Sequence, residues 1–136
     1  VGLAHTLATY AHLGTQVLIV SQVPDQLYQP RSVYVRVFES DSGSIFARVR
    51  RLSVPLAEHR RVQQYSRSRL AALAAPYPEV RILDLDPFYC DSAFCPIGDA
   101  SMSRYFDREH LSSEGGRRAF EPLRSALSIA QAHRPP

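Results

Sequence analysis

Two short, continuous apolar runs constrain the fold of this chain more than any other feature. Thr15-Gln16-Val17-Leu18-Ile19-Val20-Ser21 lies between Gly14 and Pro24, and Glu79-Val80-Arg81-Ile82-Leu83-Asp84-Leu85 leads into Asp86-Pro87. Runs of this length, rich in β-branched residues and bounded by turn formers, suit strands buried on both faces of a parallel sheet. Parallel neighbours need a crossover, and a helix between the runs supplies one. Ser53 as a cap, Pro55 in the first turn and Glu58 beside it mark its start. Val62, Tyr65, Leu70, Leu73 and Ala74 give it an apolar face up to Pro76. Upstream, Leu3, Leu7, Tyr10 and Ala11 recur at helical spacing and Gly14 follows as a stop. The expectation is an α/β fold with strands at 16–21 and 80–85, parallel, joined through a helix at 55–75.

The remaining segments carry weaker patterns. Val33, Val35 and Val37 alternate with polar neighbours, which predicts a short strand, and 39–44 reads as a turn or loop. Arg48, Arg50 and Arg51 form a basic cluster without interleaved aromatics, so they read as a solvated face and nucleic acid is not an expected partner. His59-Arg60-Arg61 likewise reads as surface charge, with His59 outside the chemistry. All 16 basic side chains are Arg, with no Lys, which fits a GC-rich genome better than a need for arginine chemistry. Composition, at 45% hydrophobic and 21% charged, suits one globular domain. No apolar run approaches the roughly 20 residues needed to cross a bilayer. No leader-like stretch opens the chain, which begins inside a helical pattern without Met and reads as a piece of something longer. No Gly-rich loop follows either strand, which argues against a nucleotide-binding α/β domain. Cys90 and Cys95 stand at C-x4-C with no second pair or clustered His to complete a zinc site. A local disulfide and two free thiols both stay open on spacing alone.

The chemistry concentrates in Tyr105-Phe106-Asp107-Arg108-Glu109-His110-Leu111-Ser112-Ser113-Glu114-Gly115-Gly116. An aspartate three residues before a histidine can accept the proton of one imidazole nitrogen. The other nitrogen is then free to take a proton from a nucleophile. Ser112 or Ser113 is a good N-cap, Glu114 suits the first helical turn, and the double glycine lets that turn pack close to a neighbour. The closing helix carries Ala119, Phe120, Leu123, Leu127 and Ala130 on one face, with Pro122 expected to kink it near Arg118. His133-Arg134-Pro135-Pro136 reads as a frayed tail.

On Tyr105, Asp107, His110, Leu111, Ser112 and Gly115, this block resembles the last conserved block of the SGNH (GDSL-like) hydrolase superfamily. It is most similar to the SGNH domains fused to membrane acyltransferases of the acyltransferase-3 type, with Gly116 where Ala is commoner. The G-x-x-V-L-I-V strand at Gly14–Val20, with Val23-Pro24 after it, and the L-D-x…C stretch extend the likeness along the chain. The resemblance implies a three-layer, flavodoxin-like parallel sheet flanked by helices, with residues 1–136 forming a single partial domain whose N-terminal part is missing. It implies a Ser-His-Asp triad in which His110 is the base and Asp107 orients it, with no cofactor and no metal. It also implies that Cys90 and Cys95 are bridged, because such domains work outside the cytoplasm, and that the bridge holds the segment delivering the pair. The expected place is the periplasm, tethered to the inner membrane through an upstream acyltransferase domain of the same parent chain. The expected acceptor is an envelope glycan or a lipopolysaccharide-type molecule. This chain departs from the family in having no G-D-S, no G-x-S-x-G and no Asn for an oxyanion hole. Ser21 ends a strand, but Gln22-Val23-Pro24 is not a nucleophile elbow. The nucleophile is therefore expected upstream. The alternative is a non-catalytic glycan-binding or scaffolding domain that retained the fold without it.

Overall fold

The computed structural model describes residues 2–39 and 43–132. The expected turn at 39–44 falls partly, and the tail at 133–136 wholly, outside those residues, as does the side chain of Ala130. In order the elements are α1 (Leu3–His12), β1 (Val17–Val20), α2 (Pro30–Phe38), α3 (Ile45–Arg51), β2 (Val54–Pro55), α4 (Leu56–Ala74), β3 (Val80–Leu83), α5 (Asp86–Tyr89), β4 (Phe94–Cys95) and α6 (Ser113–Ala132). The chain divides into two compact units.

The first unit takes Val1–Ser21, Gln63–Asp84 and Glu121–Pro136. Its centre is the expected parallel pair, β1 on β3, in the register Val17↔Val80 to Val20↔Leu83. Leu7, Ala74 and Val80 are buried together, with Val17, Ile19, Leu73 and Tyr77 packed against them. Gly14 ends α1 with φ +64°, a backbone conformation that favours glycine, so the helix stop read from the sequence has a steric basis. The strands are less enclosed than expected: β1 is only partly buried, and Val20 and Ile82 are about two-fifths exposed. Among the described residues this sheet has two strands, so neither has a neighbour on its outer edge.

The second unit takes Gln22–Val62 and Leu85–Phe120. Its core is Val33, Val37, Val49, Ile97 and Tyr105, flanked by Val23, Tyr34, Ile45, Leu52 and Leu111. Here the structure corrects three readings. Residues 30–38 are a helix, not a strand. Pro30 occupies the first turn with its fixed φ, and Val33 and Val37, one turn apart, share the buried face while Val35 is exposed. Ser53 does not cap α4. It is buried, donates to the Val49 carbonyl at 2.8 Å and accepts from the Ile97 amide at 2.9 Å. Val54–Pro55 then pairs antiparallel with Phe94–Cys95 before α4 begins. The face assigned to α4 is also shifted, since Val62 and Tyr65 are exposed while His59 and Gln63 are buried.

Candidate active site

Tyr105 and Leu111 form an antiparallel bridge, and the Phe106 amide donates to the His110 carbonyl at 2.8 Å, closing a turn around residues 106–110. Asp107 shapes that turn. Its Oδ1 accepts the amides of Glu109 and His110, both at 2.8 Å, an Asx-type arrangement that a short carboxylate supports. The same carboxylate reaches the imidazole, with His110 Nδ1 2.8 Å from Oδ2 and 3.1 Å from Oδ1. The two backbone donors, and then the imidazole, hold the Asp107 carboxyl down at about 2. The bond to Asp107, helped by its charge, raises His110 above its ordinary value. An ionised carboxylate facing Nδ1 makes that nitrogen the donor, which leaves Nε2 as the basic site. The His110 side chain is 75% exposed, and Nε2 has no partner among the described residues. The arrangement suits an oriented general base awaiting a nucleophile.

The turn is fastened to a residue that the sequence did not single out. The Gln26 amide donates to the Arg108 carbonyl at 2.7 Å, and Arg108 Nε donates to the Gln26 carbonyl at 2.9 Å. Gln26 is 1% exposed, and its side chain donates to the Cys95 carbonyl at 3.1 Å and accepts from the Val54 amide at 3.3 Å. Cys95 is bridged to Cys90, as expected. Between them Asp91 accepts the amides of Ala93 and Phe94 and a forked contact from Arg50, Nε at 2.7 Å and Nη2 at 2.9 Å. The Arg50 guanidinium also lies over the Phe94 ring, 4.8 Å from its centroid. Arg50 and the turn amides hold the Asp91 carboxyl well below the usual range. Arg50 is thus a fixed partner of the disulfide loop rather than part of a free solvated face.

A family model described as an SGNH domain fused to AT3 domains matches residues 2–124, nearly the whole chain. The chain belongs to this SGNH family. Membership makes it a domain of acyltransferase or esterase type, and the Asp107–His110 turn lies inside the matched stretch. No match was found among curated proteins, and none among solved structures. Among its described residues, the SGNH chain has no helix long and apolar enough to cross a membrane.

Behind the pair, the SGNH domain enters α6 through a capped, close-packed turn. Ser112 Oγ accepts the Gly115 amide at 3.2 Å and donates to the Ser103 carbonyl at 2.8 Å, which makes Ser112 the N-cap. A Cβ on Gly115 would collide with the Arg104 carbonyl and press on Leu111, and the Gly115 carbonyl accepts from the buried Tyr89 hydroxyl at 2.7 Å. Gly116 has nothing within 4 Å of a Cβ position. The two glycines should therefore respond oppositely to alanine. Gly115→Ala is expected to lower stability by about 2 kcal/mol through overpacking against backbone that cannot swing away. Gly116→Ala should raise it by roughly 0.5–1 kcal/mol through helix propensity. Urea unfolding of both variants measures this, and equal shifts of one sign would refute the packing argument.

Two other residues were weighed from the sequence. Ser21 follows β1, and its hydroxyl donates to Asp84 Oδ1 at 3.4 Å. His59 is not a surface residue. Its Nε2 lies 2.8 Å from Asp86 Oδ1, with both side chains about 2–3% exposed. The misreading has a physical cause: the adjoining Arg60 and Arg61 belong to the exposed face of α4, while His59 points inward. Its acid stands 27 residues away at the start of α5, beyond any local pattern.

Proposed function

We propose that this chain is the C-terminal part of an extracytoplasmic SGNH-like O-acyltransferase or esterase domain that supplies the Asp–His half of a Ser-His-Asp triad. The observation that carries the reading is the preformed Asp107–His110 pair with Nε2 open. In the parent, a serine from an upstream G-D-S block attacks the acyl carbonyl. His110 Nε2 takes the serine proton and passes it to the departing oxygen, leaving an acyl-serine. An acceptor hydroxyl then gives its proton to Nε2 and attacks the acyl-serine. The product ester departs, and the proton returns from His110 to the serine oxygen. Asp107 stays ionised throughout and stabilises the imidazolium at each stage. Oxyanion donors come from the same upstream part, since this chain has no Asn.

The fusion of this family to AT3 domains supports an acyltransferase domain upstream in the same parent, and through it association with the inner membrane. The Cys90–Cys95 bridge supports a periplasmic, oxidising location. An envelope glycan or lipopolysaccharide-type molecule is the acceptor class that fits such a place. The test is turnover of a small acyl ester. The 136-residue chain should show none, and the parent that includes the upstream G-D-S block should hydrolyse it. An inert parent with an intact G-D-S block overturns the enzymatic reading, and a parent without that block favours a glycan-binding or scaffolding role.

A further inference from the structure

We propose that Gln26 and Arg108 form a clamp that positions the Asp107–His110 pair, with Gln26 as a positioning residue of the site. The inference rests on the reading of that pair as the acid and base of the triad. Among the described residues, the hydrogen bonds that tie residues 106–110 to anything outside the turn are the two between Arg108 and Gln26. The remaining bonds of these residues, Phe106 to His110 and those converging on Asp107, are internal to the turn. The Tyr105–Leu111 bridge joins the ends of the turn, and the clamp adds a hold at its middle. Bonds internal to an exposed turn open readily in water, and the clamp holds them closed.

Gln26 suits this task because all four of its hydrogen-bonding groups are engaged. Its backbone N–H and carbonyl grip Arg108, and its side-chain amide joins Cys95 on β4 to Val54 on β2. One neutral planar group gives a donor to a carbonyl and an acceptor to an amide at once, which neither a carboxylate nor an alkyl side chain can do. The clamp thereby connects the turn to the bridged segment, since the carbonyl it holds belongs to a disulfide cysteine. Arg108 sits between the two functional residues. Loss of its Nε bond widens the angular range of the imidazole and lowers the time that Nδ1 spends on the carboxylate. Such loosening matters to a base that must meet its nucleophile within a few tenths of an ångström.

The test uses the full chain and nuclear magnetic resonance, following the His110 ring through a pH titration and the exchange of the Glu109 and His110 amides. The charged groups acting on His110 are Asp107 and Glu109. In the unaltered chain His110 should titrate above the ordinary value of about 6.5, with both amides protected. Arg108→Met removes the Nε donor from an exposed side chain and leaves the buried Gln26 in place. The expected result is a midpoint falling back toward 6.5 and roughly tenfold faster exchange at Glu109 and His110, with the Val33 amide of α2 unchanged. Loss of the positive charge alone would raise the midpoint, so a fall reports loosening. Gln26→Ala should show the same pattern more strongly, and if it does not fold, Arg108→Met still decides. An unmoved or raised midpoint with unchanged exchange in Arg108→Met overturns the clamp alone. An unshifted His110 in the unaltered chain overturns the reading of the pair, and the clamp with it.

Discussion

His110→Ala in the parent protein should lower turnover of a small acyl ester by about 10³-fold or more, with the fold intact. The ring is exposed and contributes little packing, so the loss would come from removing the proton acceptor. Asp107→Asn should cost a comparable factor, up to about 10⁴, by a different route. Asparagine can still accept the Glu109 and His110 amides through its oxygen, but it presents an N–H₂ group to Nδ1 where a carboxylate oxygen had been. The ring then loses both its preferred tautomer and the charge that stabilises the imidazolium. The pH profile follows from the same pair. Because His110 is raised, it is neutral and able to accept a proton only above that raised value. kcat/KM should therefore climb with pH through a midpoint above about 6.5, and the Asp107→Asn midpoint should fall toward 6.5. The sign for stability is opposite at the two partners. Asp107, held down at about 2, contributes above its unfolded value of about 3.9, and that contribution is lost as pH falls through 2. His110 contributes below about 6.5 and loses its contribution as pH rises through its raised folded value. The pair thus stabilises the fold fully between about pH 4 and 6.5, while catalysis needs the pH above. A wild-type rate in His110→Ala would reduce the motif to a helix entry.

The largest effect on stability is expected at the other Asp–His pair. His59→Ala should lower the unfolding free energy by about 2–4 kcal/mol, because it deletes a buried imidazole together with its 2.8 Å contact to Asp86 and leaves a cavity in its place. Such a loss is a large share of the 5–15 kcal/mol that typical domains have. Urea unfolding of the variant measures the loss. A single variant within about 1 kcal/mol of wild type would show that the pair is not held as tightly as its geometry indicates.

The parts of the molecule legible in the sequence share one property, which is locality. The apolar runs that became β1 and β3 are each contiguous, Asp107 and His110 are three residues apart, and Cys90 and Cys95 are five apart. The errors arise where two local readings compete or where the partner is distant. Val33, Val35 and Val37 satisfy a period of two, but Val33 and Val37 also satisfy a helical turn, and Pro30 at the helix start favoured the second. Ser53 has the composition of a cap, yet a partner 44 residues away claims its hydroxyl. His59 and Gln26 find their partners 27 and 69 residues off, at Asp86 and Cys95, and no periodicity reports such meetings. Of the candidate site, the contact between Asp107 and His110 was readable, while the bonds from Gln26 to Arg108 were not.

Asp107 uses one carboxylate for two tasks, folding its own turn through two backbone amides and orienting the ring of His110. Selection acting on either task would preserve the same residue. A descendant that had lost its nucleophile would still lose the turn by exchanging Asp107 for an apolar side chain, so the acid would outlast the activity. His110, whose ring is exposed and whose backbone alone serves the turn, has no such second reason to persist. On the proposed reading of the pair, histidine at the second position should be the more faithful record of catalysis among relatives, and aspartate at the first a record of shape.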